Sequence, residues 1–90
     1  MLERDIESYI IKMVKKQGGM AIKLLSYTQA GLPDRLILMP GGKVWFAELK
    51  RPGQHPRAVQ KWMHKQLEKL GHDVLVFDSR EAIDKWLGGE

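Results

Sequence analysis

The hydrophobic residues of this chain recur with a helical period in three segments. In residues 2–17 they lie three or four positions apart and two glycines follow, which predicts an amphipathic helix. A second helix is predicted from Pro56, which suits a first helical turn, to about Leu70, with Gly71 after its end. A third helix follows Ser79, whose hydroxyl group can cap it. The residues expected on the buried face of the second helix are Val59, Trp62, Met63, Leu67 and Leu70.

Between the helices the pattern changes to the short apolar runs typical of β-strands. Residues 20–27 form one run and residues 72–78 form another. Residues 35–39 and 43–50 flank Pro40-Gly41-Gly42, which predicts a hairpin. The resulting order is α-β-β-β-α-β-α. The chain is therefore expected to be an α/β protein with a mixed sheet flanked by helices.

The hairpin can be given a register. With a three-residue loop, Met39 lies opposite Lys43, and counting outward places Asp34 opposite Glu48. Directly opposed side chains have Cβ atoms roughly 5 Å apart. Because side chains alternate between the faces of a strand, Lys50 shares the face of Glu48. A loop one residue longer or shorter would instead oppose Asp34 to the leucine after Glu48.

This register brings together two acidic groups and a lysine. Opposed carboxylates destabilise a strand pair unless a counter-charge is present. A hard divalent cation such as Mg²⁺ removes the repulsion, and it prefers one or two carboxylates together with water and phosphate oxygens. Lys50 would add a positive charge beside an attacking water or a phosphate. The hairpin therefore predicts metal-assisted chemistry on a phosphate group.

Length and composition exclude several classes of protein. Ninety residues fit a single domain spanning residues 1–90. The absence of cysteine excludes disulfides, zinc–thiolate sites and a cysteine nucleophile. No signal peptide and no apolar run near the ~20 residues that span a bilayer are present, so a soluble intracellular protein is expected. The net charge of +4 suits a polyanionic partner. The three histidines, His55, His64 and His72, lack metal-ligand spacing and are expected on the surface.

Several short motifs occur in a characteristic order. They are Gly31-Leu32-Pro33-Asp34-Arg35, then Phe46-Ala47-Glu48-Leu49-Lys50-Arg51-Pro52-Gly53, then Gln60, then Gly71 before a strand. This series resembles the VRR-NUC family, the virus-type replication-repair nucleases of the PD-(D/E)xK superfamily. The resemblance extends from Glu3 to about Asp78. It implies a restriction-endonuclease-like fold.

The resemblance also implies roles for individual residues. Asp34, Glu48 and the backbone carbonyl of Leu49 would bind Mg²⁺ or Mn²⁺, and Gln60 would support the site. The family places a glutamate early in the first helix. Here the distance to the glycine pair favours Glu3 and the depth within the helix favours Glu7, so both stay candidates, with a slight preference for Glu3. The catalytic set is then Asp34, Glu48, Lys50, Gln60, Glu3 and Glu7.

The second helix carries a row of basic residues without an interrupting acid. These residues lie four positions apart, and like charges at that spacing cost a few tenths of a kcal/mol per pair. A solvated face is the ordinary interpretation, and contact with a phosphate backbone is the alternative. The residues expected to contact DNA are Arg35, Arg51, Arg57, Lys61, Lys65 and Lys69.

The resemblance implies a structure-selective DNA endonuclease. It suggests a homodimer that acts on branched DNA, such as four-way (Holliday) junctions, in the cytoplasm of a bacterium or of a phage-infected cell. Two other readings stay open. One is a flap- or duplex-cutting endonuclease that takes its specificity from a partner. The other is a non-catalytic DNA-binding module in which the acids only pair with Lys50.

Overall fold

The computed structural model describes residues 2–88, and its elements follow the predicted order. They are α1 (Glu3–Lys16), β1 (Met20–Lys23), β2 (Arg35–Met39), β3 (Lys43–Leu49), α2 (Ala58–Lys69), β4 (Val74–Phe77) and α3 (Arg80–Gly88). The first strand ends at Lys23, four residues before the predicted end. The placement of Pro56 inside the second helix is wrong, because α2 begins at Ala58. Within residues 2–88, no helix is long and apolar enough to cross a membrane.

The four strands form one mixed sheet in the order β1-β2-β3-β4. The first three strands are antiparallel neighbours, and β4 runs parallel to β3 after the chain crosses over through α2. Gly41 and Gly42 make the turn between β2 and β3 with φ angles of 86° and 76°. Side chains with a Cβ atom rarely adopt this left-handed conformation. The glycine pair therefore holds the hairpin loop at three residues.

Helices α1 and α3 cover one face of the sheet. Ile37, Ala47 and Leu49 point toward this side and are almost completely buried. Helix α1 contributes Ile6, Ile10 and Val14, and α3 contributes Ile83. Trp45 on β3 packs edge-on against Trp86 on α3, with ring centroids 5.3 Å apart. The main hydrophobic core cluster thus lies between this face and the two helices.

The other face of the sheet is only partly covered. Strand pairing places six apolar side chains from β1, β2 and β3 on it, and we call them the open sheet face: Met20, Ile22, Leu36, Leu38, Val44 and Phe46. Met20 is 62% exposed and Val44 is 41% exposed. Helix α2 contacts β4 at the border of this face. Consequently, one layer of the molecule is a closed core and the opposite layer presents uncovered apolar surface.

Helix α2 does not bury the face expected from its hydrophobic pattern. Val59, Trp62 and Leu70 are exposed, so their predicted burial is wrong, whereas Met63 is buried as expected and Leu67 is half-buried. The inward residues are Gln60, Met63, His64 and Leu67, which follow an i, i+3, i+4, i+7 stripe. The helix is therefore rotated to direct two polar side chains inward. The cause lies in the site described next.

Candidate active site

The observed hairpin register brings Asp34 and Glu48 to the same end of the sheet. Met39 pairs with Lys43 and the ladder continues to Arg35 and Ala47, so the register predicted from the sequence is confirmed. Asp34 directly precedes β2, and the next residue pair outward is Asp34 with Glu48. The Asp34 carboxylate Oδ2 accepts a hydrogen bond of 2.8 Å from the backbone N–H of Leu49. This bond holds Asp34 against the strand that carries Glu48.

Glu48 is a carboxylate enclosed by polar partners. Its side chain is 1% exposed. The amide Nε2 of Gln60 donates to Glu48 Oε2 at 3.1 Å, and Nε2 of His64 lies 3.2 Å from Oε1. The Lys50 ammonium nitrogen is 3.7 Å from Oε2. Three side chains, Lys50, Gln60 and His64, therefore contact the carboxylate of Glu48.

Burial makes Glu48 an unusually weak acid in the absence of a bound cation. Loss of hydration raises the pKa of Glu48 from 4.5 to about 8, and the negative charge of Asp34 adds to this effect. Lys50 acts in the opposite direction and offsets only part of the rise. A cation held between the two carboxylates would favour their ionised forms. The pair thus has the electrostatic character of a site that is incomplete without positive charge.

His64 is a functional candidate that the sequence reasoning missed. It was expected on the surface, but it is 9% exposed, whereas His55 and His72 are exposed as predicted. Burial lowers the pKa of His64, so the imidazole is neutral at neutral pH and its contact with Glu48 is a hydrogen bond rather than an ion pair. The signal was present in the spacing, because residues four apart on a helix, such as Gln60 and His64, share one face.

The two glutamates of α1, Glu3 and Glu7, have different neighbours in the structure. Glu7 pairs with Arg35, with 3.3 Å between Oε2 and the guanidinium nitrogen. The negative charge of Glu3 lies close enough to Glu48 to contribute to its raised pKa. Of the two candidates, Glu3 is the one whose charge contributes to the pKa of Glu48, and Glu7 forms an ion pair with Arg35 of β2.

Arg35 requires a correction. It was expected to contact DNA, but it is 9% exposed and lies on the face of β2 covered by α1. Its guanidinium group donates to the backbone carbonyl of Ala21 at 3.1 Å and pairs with Glu7. Arg35 therefore ties β1, β2 and α1 together instead of presenting charge to a ligand. The other basic residues expected at DNA are exposed: Arg51, Arg57, Lys61, Lys65 and Lys69.

Gly31 allows the loop before Asp34 to lie against the start of α2. Its φ angle is 84°, and a Cβ atom at this position would be 2.5 Å from the backbone oxygen of Val59. No side chain fits such a distance from a backbone atom. The glycine of the motif therefore brings the Asp34 loop and the Gln60 end of α2 into direct contact.

The donor atoms at this site suit a hard cation. Two carboxylates and the adjacent backbone carbonyl of Leu49 match the oxygen ligands that Mg²⁺ and Mn²⁺ take from proteins, with water completing the shell. Within residues 2–88 no group of three or more His, Cys, Asp or Glu side chains is arranged to hold a metal ion. Asp34 and Glu48 are the residues that would bind such an ion.

A cleft lies at the opposite end of the hairpin from Asp34 and Glu48. This cleft of about 430 Å³ is lined by Gln17, Met39, Pro40, Lys43, Trp45, Trp86 and Leu87. It contains no carboxylate or histidine. The chemistry of the molecule is therefore concentrated at the Asp34–Glu48 end of the sheet.

We expect the stability of the metal-free protein to fall as pH rises from about 4.5 to about 8. The folded state keeps Glu48 protonated in this window while the unfolded chain releases that proton. The folded state therefore binds more protons than the unfolded state, and its stability falls as pH rises. The contribution of Glu48 is complete below pH 4.5 and is lost above pH 8. Glu48→Gln removes the titrating group and should flatten this part of the curve, measured as melting temperature against pH in EDTA.

The matched control is Glu81→Gln, which changes an exposed glutamate on α3. Its melting curve should keep the pH dependence of the parent chain. Parallel curves for the parent and Glu48→Gln proteins would contradict a protonated, buried Glu48.

Comparison with known proteins agrees with this geometry. No protein-family model matches the chain. A protein of Acyrthosiphon pisum secondary endosymbiont phage 1, described as "Putative nuclease p44", is 43% identical over 79 residues, covering 88% of this chain and 85% of that protein. A solved structure described as a VRR-NUC domain superposes with a TM-score of 0.89 at 30% identity, covering 96% of this chain and 94% of that one. Because both matches extend over most of the molecule, this chain belongs to the VRR-NUC nuclease family.

Proposed function

We propose that this protein is a metal-dependent DNA endonuclease that hydrolyses phosphodiester bonds in branched DNA. The observation that carries the proposal is the set of Asp34, Glu48 and Lys50 at one end of the hairpin. Glu48 is buried among nitrogen donors, and Lys50 Nζ lies 3.7 Å from its carboxylate. A buried acid with a strongly raised pKa beside a second acid is typical of functional sites.

The chain's own residues divide the work of such a reaction. Asp34, Glu48 and the carbonyl of Leu49 would hold Mg²⁺ or Mn²⁺, which when bound lowers the pKa of a coordinated water and neutralises charge on the phosphoryl group. Lys50 would orient the attacking water or stabilise the developing negative charge. The Lys50 side chain is only 14% exposed and its ammonium group lies beside Glu48. Electrostatic interactions at such a partly buried position are weakly screened. Glu3 and Gln60 would support the arrangement of these groups.

The exposed basic residues supply a surface for DNA without a base-reading element. Lys61, Lys65 and Lys69 lie on α2, the helix that also provides Gln60 to the site, and Arg57 directly precedes this helix. Contacts with phosphates position a duplex but carry no sequence information. This distribution supports recognition of DNA shape, and a four-way junction is the branched substrate that we propose.

The open sheet face supports the proposal of a homodimer. The six residues of that face are apolar and carry no charge, and contiguous exposed apolar patches of this kind mark interaction sites. A second copy of the chain offers the same uncharged face, so a two-fold dimer buries both at once. Such a dimer would carry two active sites, which matches the two strands that a resolved junction requires to be cut.

We expect Asp34→Asn, Glu48→Gln and Lys50→Ala each to reduce cleavage at least about 100-fold, the loss typical of a removed charge-stabilising group. The assay uses end-labelled four-way junction and linear duplex of matched sequence, with Mg²⁺, with Mn²⁺ and with EDTA. Cleavage should require the metal and favour the junction. The matched control is Glu81→Gln, whose site lies on α3 at the surface.

The same assay separates the other readings. Glu48→Gln cleaving at the parent rate would show that the active site is misassigned. Equal cleavage of junction and duplex would keep the site and remove the junction specificity, and preference for a flap would favour the flap-cutting reading. Tight DNA binding by the parent chain without cleavage in either metal would indicate a non-catalytic binding module.

We expect Val44→Glu to convert the dimer to a monomer, because it places a charge within the joined apolar faces. Val44 is 41% exposed in the single chain, so the charge is tolerated by the fold itself. The control is Ile11→Glu, which changes a residue 37% exposed on α1, on the other side of the molecule. The measurement is sedimentation velocity at tens of micromolar protein. A monomeric parent chain, or a Val44→Glu protein that still dimerises, would contradict this interface.

A further inference from the structure

The inward face of α2 contains a polar pair that ordinary packing does not explain. Gln60 and His64 are 7% and 9% exposed, while Trp62 of the same helix is 55% exposed. Burying polar side chains and exposing an aromatic one is unfavourable unless the polar groups find strong partners. Both side chains meet the same partner, the carboxylate of Glu48. The orientation of α2 is therefore set by Glu48 together with Met63 and Leu67, and it leaves Trp62 at the surface.

The two contacts differ in which oxygen they engage. Gln60 Nε2 donates to Oε2 of Glu48, and His64 Nε2 faces Oε1. The terminal torsion of a glutamate is soft and twofold, so a single donor leaves the carboxylate plane free to rotate. Two hydrogen-bonding partners, one on each oxygen, restrict that rotation. This is the property that a carboxylate needs in order to hold a cation in a constant geometry.

Gln60 is itself held in place. Its Oε1 accepts a hydrogen bond of 2.7 Å from the backbone N–H of Arg57, just before α2 begins. This bond orients the amide so that its NH₂ group points to Glu48. The start of α2 is thus anchored to one carboxylate oxygen, and His64, one turn later, reaches the other oxygen.

We propose that His64 is a positioning residue that, together with Gln60, clamps the Glu48 carboxylate in its metal-binding orientation. The proposal rests on the proposed function, since it concerns the cation held by Asp34 and Glu48. His64 donates its Nε2 hydrogen to the ionised carboxylate and does not ligate the ion or contact DNA. Partners of this kind, which orient a ligand from behind, typically affect metal affinity 10- to 100-fold when removed.

The test is Mn²⁺ binding to the full chain without DNA, measured above pH 8 by electron paramagnetic resonance of the free ion. His64→Leu keeps an apolar side chain in the buried position but removes the donor, and we expect its Kd for Mn²⁺ to rise about 10- to 100-fold. His64→Gln places an amide nitrogen near the position of Nε2, and its Kd should stay within about threefold of the parent value, a small effect on the same scale. The control is His72→Leu, an exposed histidine on the turn before β4, whose Kd should equal that of the parent.

A second readout distinguishes positioning from general support of the fold. Cleavage by His64→Leu should be lost at the Mn²⁺ concentration that saturates the parent and should recover when Mn²⁺ is raised above the variant's own Kd. Circular dichroism melts of all three variants verify that each is folded at the assay temperature. Failure of raised Mn²⁺ to restore cleavage in a folded His64→Leu protein would overturn the positioning role.

The outcomes separate the two proposals. Equal Mn²⁺ affinity in the parent and His64→Leu proteins would overturn the role of His64 and leave the metal-dependent nuclease standing. A His64→Gln protein as weak as His64→Leu would show that the donor is not what matters, which also overturns it. A parent chain that binds no Mn²⁺ and cleaves without it would overturn both.

Discussion

The structure depends on one unfavourable requirement, the burial of the Glu48 carboxylate at the end of β3. An acid that is 1% exposed has lost its hydration, and only nearby donors and positive charge can replace it. Gln60, His64 and Lys50 supply those contacts. Because Gln60 and His64 both lie on α2, their contacts with the Glu48 carboxylate help to fix the rotation of the whole helix.

That rotation has consequences for the rest of the molecule. Helix α2 directs Gln60 and His64 inward, so Trp62 and Val59 remain at the surface. The helix packs beside β4. The opposite side of the sheet forms the main hydrophobic core cluster with α1 and α3. The two faces of the sheet therefore have different roles. One face supplies stability, while the other holds the acidic site at its border and leaves apolar surface exposed.

Proteins tolerate such local cost where function requires it. Near neutral pH the metal-free site keeps Glu48 protonated, because burial and the Asp34 charge together raise its pKa to about 8. Binding of a cation would replace that proton, so metal binding and proton release are coupled at this carboxylate. Gln60 and His64 of α2 contact the two oxygens of this carboxylate. The site is thereby held ready by the protein while its charge balance is left for a ligand to complete.

The sequence by itself determined the order of the elements, the hairpin register and the meeting of Asp34 with Glu48. These follow from local rules, because strand alternation and a glycine turn relate residues only a few positions apart. It also indicated the VRR-NUC family through motifs concentrated in the same region. The tertiary structure decided which way α2 faces, that His64 is buried, that Arg35 joins Glu7, and that Glu3 is the glutamate near the site. Hydrophobic periodicity treats a buried polar residue as a surface residue, so it directed Trp62 inward and His64 outward. The contacts of α2 with Glu48, which join chain segments distant in sequence, reverse this prediction. The reason is that satisfying a buried carboxylate outweighs burying an indole ring.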